Sequence, residues 1–314
     1  MRIENKRIIF RKGVNKTIIE DNSLGFISIY EKNNTIRNLD LNEYRLLDFS
    51  RDGKILLLNS KELLTRRNTN KTILTAFNIE TSQTLFKTES FWAYRAIIDK
   101  TSSKFLLEYW NGLCCVDLNN GETLFRKDKI NKNVYNADLH INSNKIYLPT
   151  EKKSLLTFDF NSNILDEIKL DKVASTTWIK FNKSQDKLLV SDKKNFLNCF
   201  MSDTISKPIW SIDFSKFGDE GRIWCFEILV TEANLGCVHG FMPKANQNAH
   251  AAGTLWIFDI NTGTIVNKYD YANFNQKIIC DYSENKIILD DLKSFSLADL
   301  NVDKTKYSDL IRTE

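Results

Sequence analysis

One unit, seen most plainly at Gly112–Lys127, returns along the chain: an alternating strand, a tight turn and a second strand. Val116 and Leu118 alternate with Cys115 and Asp117, the two-residue period of a pleated strand. Asn119, Asn120 and Gly121 supply the turn, because Asn and Gly tolerate the positive φ that hairpin turns need. Thr123, Leu124 and Phe125 then restart the strand. The unit recurs at Ala76–Phe86, Thr157–Leu165 and Ile257–Ile265, with weaker copies around Glu31, Met201 and Asp299. Aligned on Asp117, the copies fall at positions 31, 78, 117, 159, 201, 259 and 299. Their steps are 47, 39, 42, 42, 58 and 40 residues, with a mean of about 45.

A second landmark precedes the first in most repeats. It is an apolar strand, a polar turn, a lysine and another apolar strand. It is found at Phe49–Leu58 (lysine 54), Ile98–Leu107 (lysine 104), Ile141–Leu148 (lysine 145), Phe181–Val190 (lysine 187) and Asp281–Leu289 (lysine 286). Two landmarks in constant order imply four strands per repeat, here a to d. Four short strands every 40–50 residues are the mark of a β-propeller blade. The expectation is an all-β chain, one domain over residues 1–314. It would be a seven-bladed β-propeller of four-stranded antiparallel blades, at about 2–41, 44–89, 95–128, 136–170, 176–214, 222–271 and 277–311. In this pattern the chain resembles the large superfamily of WD40-like, YVTN-like and quinoprotein-like propellers, over nearly its whole length. A propeller must close its ring, so either Arg7–Phe10 or Lys306–Ile311 is expected to complete the last blade.

Totals narrow the function. Forty-four basic and 40 acidic residues leave a net charge of +4, too balanced to argue for nucleic acid or an acidic membrane. The first ten residues contain Glu4 and only a three-residue apolar run, so no signal peptide is expected, and no stretch is long and apolar enough for a membrane span. The six cysteines, at 114, 115, 199, 225, 237 and 280, lack C-x-x-C spacing and fall in strands. Buried reduced thiols in a cytoplasmic protein are the expectation. Abundant Lys and Asn, with 11 Gly and 3 Pro, read as an AT-rich coding bias and a bacterial source.

Strand direction alternates within a blade, so b–c and d–a connections emerge on one face and a–b and c–d turns on the other. The two longest insertions, Ser60–Lys71 and Met242–Gly253, are both b–c loops. The longer d–a links, Asp128–Val134 and Ser215–Gly221, share that face. Loops longer than a fold requires tend to carry function. The b–c/d–a face is therefore the expected partner-binding face. Its candidate contacts are Lys61, Arg66, Arg67, Trp92, Tyr94, Asp219, Glu220, Lys244, Asn246, Gln247 and His250.

Chemistry is thinly represented. Three histidines, 140, 239 and 250, show no metal-ligand spacing, and no nucleophile elbow occurs. Asp117–Gly121 and Asp259–Gly263 fit the opening of a calcium loop, but they sit where the blade needs a hairpin and lack the downstream Glu. The pairs Asp219–Glu220 and Asp290–Asp291 read as solvated charges. No catalytic residue, metal or cofactor is expected. The leading reading is a monomeric, non-enzymatic protein-binding propeller, sharpened to an immunity protein that neutralises a cognate bacterial toxin. The alternative is a small lactonase- or lyase-like enzyme with a metal or acid/base site at the central channel. It would draw on Glu108, Asp138, His140 and Glu227 from a strands. A scaffold in a larger assembly is the third.

Overall fold

The computed structural model describes residues 6–10, 16–21, 26–31, 34–40, 44–60, 71–91, 93–109, 112–130, 137–217, 224–230, 234–241, 253–271, 278–281, 286–289 and 294–296. These form 27 strands and one turn of 3-10 helix, Phe214–Phe217. No helix among them is long and apolar enough to cross a membrane. The chain forms two compact units, Met1–Asn131 with Asp159–Ile164, and Lys132–Phe158 with Leu165–Glu314.

The first unit contains three sheets, each an antiparallel meander in chain order. They are β1 (Lys6–Phe10), β2 (Lys16–Asp21), β3 (Phe26–Glu31) and β4 (Asn34–Asp40); β5 (Tyr44–Phe49), β6 (Ile55–Ser60), β7 (Lys71–Asn78) and β8 (Gln83–Phe91); and β9 (Ala93–Ile98), β10 (Lys104–Tyr109), β11 (Gly112–Asp117) and β12 (Thr123–Asp128). β1 pairs with β2, from Lys6 opposite Asp21 to Phe10 opposite Thr17. The Arg7–Phe10 segment is thus strand a of the first sheet rather than a strand added to the last. Lys306–Ile311 lies outside the described residues.

The second unit continues with β13 (Asp138–His140), β14 (Lys145–Pro149), β15 (Ser154–Asp159) and β16 (Ile164–Lys169), the tip of whose last hairpin clusters with the first unit. Then come β17 (Thr176–Phe181), β18 (Lys187–Asp192), β19 (Phe196–Met201) and β20 (Trp210–Asp213), followed by β21 (Trp224–Val230), β22 (Leu235–Phe241), β23 (Gly253–Asp259) and β24 (Ile265–Tyr271). Three further strands are β25 (Ile278–Asp281), β26 (Lys286–Leu289) and β27 (Ser294–Ser296). Six sheets therefore have four strands and one has three among the described residues. Within each unit the a strands of successive sheets are neighbours: β5 beside β9, and β13, β17, β21 and β25 in succession.

Central strands read as continuous apolar runs because both faces of a sheet are covered by its neighbours. In β6, Leu56 and Leu58 enter a cluster with Ile18, Ile29 and Phe49, while Leu57 points the other way, into a cluster with Leu107, Cys114 and Val116. Phe181, Leu188 and Phe200 fill the layer beside Tyr147 and Leu155, and Leu189 and Cys199 the layer beside Trp256 and Phe258. Strand d is the outer strand: β12 and β16 are half-buried or exposed throughout.

The lysine landmark has a structural use. Lys104 Nζ reaches past its own sheet to Phe160 O at 2.8 Å and Asn163 Oδ1 at 3.4 Å, in the c–d turn that follows β15. Lys187 Nζ likewise reaches Asn261 Oδ1, in the c–d turn after β23. Lys54 stays on its own sheet, 3.3 Å from Glu80.

Candidate interaction face

The b–c/d–a face is described for the sheets β13–β16 and β17–β20. Its surface is set by the turns Thr150–Lys153 and Lys193–Asn195 and the link Leu170–Ser175. Beneath them lies a lattice of buried polar groups. Thr150 N–H donates to Thr176 Oγ1 at 2.8 Å, and the hydroxyls of Thr150 and Thr176 both donate to Ser154 O, at 2.7 and 3.0 Å. Glu151 N–H donates to Thr176 O at 3.1 Å, and Thr176 N–H to Lys152 O at 2.9 Å. Asp192, 4% exposed, accepts Lys194 N–H at 2.8 Å and Phe196 N–H and Ala174 N–H at 3.2 Å. Lys193 N–H closes on Ser175 O at 3.0 Å, and Ser175 Oγ donates to Glu151 O. Three N–H donors from two connections converge on this one carboxylate, so Asp192 ties the link Leu170–Ser175 to the turn Lys193–Asn195.

That lattice presents a charged surface. Lys152, Lys153, Lys172, Lys193 and Lys194 are all exposed, against exposed Glu151 and Asp171. Lys193 pairs with Glu151 at 2.7 Å, with both side chains about half exposed. On the opposite face of the same two sheets, the exposed charges of the turns cancel: Lys183 and Lys207 against Asp186 and Asp203. These lysines were not among the residues singled out from the sequence. Their signal is the doublet Lys152-Lys153, repeated 41 residues on as Lys193-Lys194, at the same point of two successive repeats.

On the corresponding edge of the first unit, Tyr109, Arg126 and Asp128 form a second cluster. Tyr109 Oη donates to Asp128 Oδ1, which also takes Arg126 Nε and Nη2 at 3.2 Å each, and the guanidinium lies 5.8 Å from the Tyr109 ring centroid. Burial, reinforced by the Asp128 carboxylate, pushes the Tyr109 hydroxyl up to about 12. The Tyr109 hydrogen bond and then Arg126 hold Asp128 below its usual value. Gly112 makes the cluster fit, since a Cβ there would lie 2.3 Å from both Tyr109 Oη and Lys127 O.

Ten of the eleven expected contacts, Lys61, Arg66, Arg67, Trp92, Asp219, Glu220, Lys244, Asn246, Gln247 and His250, lie outside the described residues. Tyr94 falls in β9 at a register shift: Glu108 pairs with Arg95 and Tyr109 with Ala93, so Tyr94 is the extra residue of a bulge. The same device recurs in strand a at Leu47, Thr177 and Phe226.

The channel alternative meets a different arrangement. Glu108 lies in β10, a b strand rather than an a strand, and is 5% exposed. Asp138 does lie in an a strand, but its Oδ2 accepts Phe181 N–H at 2.8 Å and its Oδ1 is 3.3 Å from Lys180 Nζ, so it fastens β13 to β17. His140 Nδ1 is bonded to Ser143 Oγ at 2.7 Å and Nε2 to Gln185 O at 2.9 Å, with its ring edge-on to Phe181 at 4.9 Å. Glu227 stands opposite His239 in the backbone register of β21 and β22. Among the described residues no three His, Cys, Asp or Glu side chains gather as a metal site. The Asp-x-Asn-x-Gly segments are turns. Asp117 Oδ1 accepts Asn119 N–H and Asp259 Oδ1 accepts Asn261 N–H, both at 2.7 Å, with Gly121 and Gly263 at φ of 77° and 72°.

Cys114, Cys115, Cys199 and Cys237 are free and buried, and burial pushes the thiols of Cys115 and Cys199 up to about 12.

No protein-family model and no curated protein sequence matches the chain. Among solved structures it is similar to the β-propeller domain of Cps50 (Swd1) from Myceliophteria thermophila, at 12% sequence identity and a TM-score of 0.64. The match covers 91% of this chain and 92% of that one. With its successive four-stranded meanders, the chain has a β-propeller fold.

Proposed function

We propose that this β-propeller is a non-enzymatic protein-binding module that engages its partner through the b–c/d–a face. The observation that carries the reading is the contrast between the two kinds of polar group. Asp138 and His140, the two a-strand candidates whose side chains are described, are committed to bonds with Phe181, Lys180, Ser143 and Gln185. The described b–c and d–a connections of the sheets β13–β16 and β17–β20 instead rest on a buried polar lattice and hold charged side chains out to solvent. Rigidly held surface groups suit recognition, because less conformational entropy is lost on binding. The finer reading is an immunity protein that caps a cognate bacterial toxin in the cytoplasm. That role needs a wide rigid surface and no chemistry of its own, which agrees with the balanced composition and the long polar b–c insertions.

The test is affinity capture of the tagged chain from its source cells, beside a variant carrying Arg66→Glu, Arg67→Glu and His250→Ala. One protein recovered stoichiometrically with the wild type and lost with the variant is the expected result. Co-expression should then relieve growth arrest caused by that partner alone. Recovery of no partner would sink the interaction reading, and a partner without toxicity would remove the immunity reading.

A further inference from the structure

We infer that the b–c/d–a face of the sheets β13–β16 and β17–β20 is a docking surface for an acidic patch on a partner protein, gripped by Lys152, Lys153, Lys172, Lys193 and Lys194. The inference rests on the interaction reading of that face and names the chemistry of what it holds. Four observations carry it. First, the charge is one-sided: five exposed lysines against two exposed carboxylates here, two against two on the opposite face. Second, the support is rigid. Thr150, Ser154, Thr176 and Asp192 are at most 4% exposed and bond the backbone of both lysine doublets, so the two turns and the link form one platform. Third, the doublets occupy equivalent turns of adjacent sheets, which repeats the cation at the spacing of the blades. Fourth, Glu151 lies within the patch and pairs with Lys193 alone; no carboxylate among the described residues pairs with Lys152, Lys153, Lys172 or Lys194.

The chemistry favours an acidic protein over a nucleic acid. Lysine is a compact, strongly hydrated charge, and these connections contain no arginine for bidentate phosphate contact. They also hold no stacking platform: the exposed large apolar residues among those described, Leu85, Ile141, Ile164, Ile209 and Val266, lie in other turns or in outer strands. Glu151 and Asp171 interrupt the patch, which suits a partner of mixed sign with an acidic excess better than a uniform phosphate backbone. Charges of this kind set the rate and salt dependence of encounter.

The experiment is fluorescence anisotropy of the full chain with a labelled oligo-glutamate peptide, at low salt and at about 0.15 M, where the Debye length is about 8 Å. Lys152→Glu, Lys153→Glu, Lys193→Glu and Lys194→Glu together should weaken binding at low salt by about tenfold or more. Lys183→Glu with Lys207→Glu, on the opposite face, should leave it unchanged. A second variant, alanine at 152, 153, 172 and 194 with Lys193 and its Glu151 pair intact, should weaken binding by a smaller factor in the same direction. Circular dichroism and the melting temperature verify that each variant is folded. No peptide binding by the wild type, equal losses from both faces, or tighter binding of an oligonucleotide of matched charge would overturn the inference. A captured partner retained by the quadruple reversal would overturn it too while leaving the interaction reading standing. Capture of no partner at all would remove that reading itself.

Discussion

Asp117, Asp159 and Asp259 do the same work in three hairpins, and Asn78 in a fourth. Each carboxylate or amide oxygen accepts the N–H two residues on, at 2.7 to 2.9 Å, in place of a backbone acceptor. The left-handed residue that follows is Gly121, Asn163, Gly263 or Ser82. Where it is glycine, packing also demands it: a Cβ at Gly263 would sit 2.8 Å from the Trp210 ring, and one at Gly121 2.7 Å from Phe86. Gly263→Ala should therefore cost about 1–3 kcal/mol, left-handed strain plus displacement of a packed ring, read as a shift in urea midpoint at constant slope. Asp259→Ala, which removes only the accepting oxygen at an exposed turn, should cost about 1 kcal/mol. An equal or larger loss from Asp259→Ala would show that the cap and not the backbone conformation governs the turn. Gly236 makes a third case. Its added Cβ would fall 2.2 Å from the buried Phe258 ring, so alanine there should be worse tolerated than at Gly263.

At the scale of elements, the recurring feature is a bulge at each end of the blade. Strand d carries one extra residue near its start at Ile36, Leu85, Leu124 and Val266, because the partner strand pairs with the residues on either side. Bulges raise local twist, and an extra residue on the outer strand can be turned toward solvent. Leu85 and Val266 are 38% and 45% exposed, while Leu124 is half-buried. The lysine that opens strand b ties such sheets together. Lys104→Met keeps the aliphatic stem but removes the ammonium from Phe160 O, and should cost about 1–2 kcal/mol, with Lys187→Met behaving alike. Lys54→Met, which loses only a half-exposed pair with Glu80, should cost about 0–1 kcal/mol. Chemical denaturation of the three variants orders them, and equal losses would contradict a bridging role for Lys104 and Lys187.

Over the whole molecule, the buried weak acids act together on pH stability. Cys115 and Cys199 rise from 9.0, and Tyr109 from 10.0, to about 12 in the folded chain. A group raised on folding contributes fully below its unfolded value and loses that contribution as pH climbs to its folded value. Stability should thus hold up to about pH 9 and then fall steadily toward pH 12. Cys115→Ala with Cys199→Ala should make that fall shallower, followed by the denaturant midpoint from pH 8 to 12. The same burial predicts that thiol reagents label Cys114, Cys115, Cys199 and Cys237 only after unfolding.

Much of this was legible in the sequence, because alternation and turn chemistry are local. The Asp-x-Asn-x-Gly segments declared their hairpins, and the runs at Leu56–Leu58, Phe105–Leu107 and Leu188–Val190 declared strands buried on both faces. The polar turn before each lysine was legible too, since Ser50, Asp99 and Asn182 each fold back on their own backbone. Distance along the chain hid the rest. Nothing near Lys104 names Phe160 as its acceptor, 56 residues on, and nothing near His140 names Gln185, 45 residues on. Glu108 carried the charge of a channel residue, but its strand position, two residues before a b–c turn, depends on register. The lysine doublets carry no local signal of a shared surface; the packing of β14 beside β17, and the bond from Ala174 N–H to Asp192, bring their turns onto one platform. Period and patterning along the chain thus determined what each segment becomes. Which segments meet, and so which charges share a face, was decided only by the stacking of one sheet on the next.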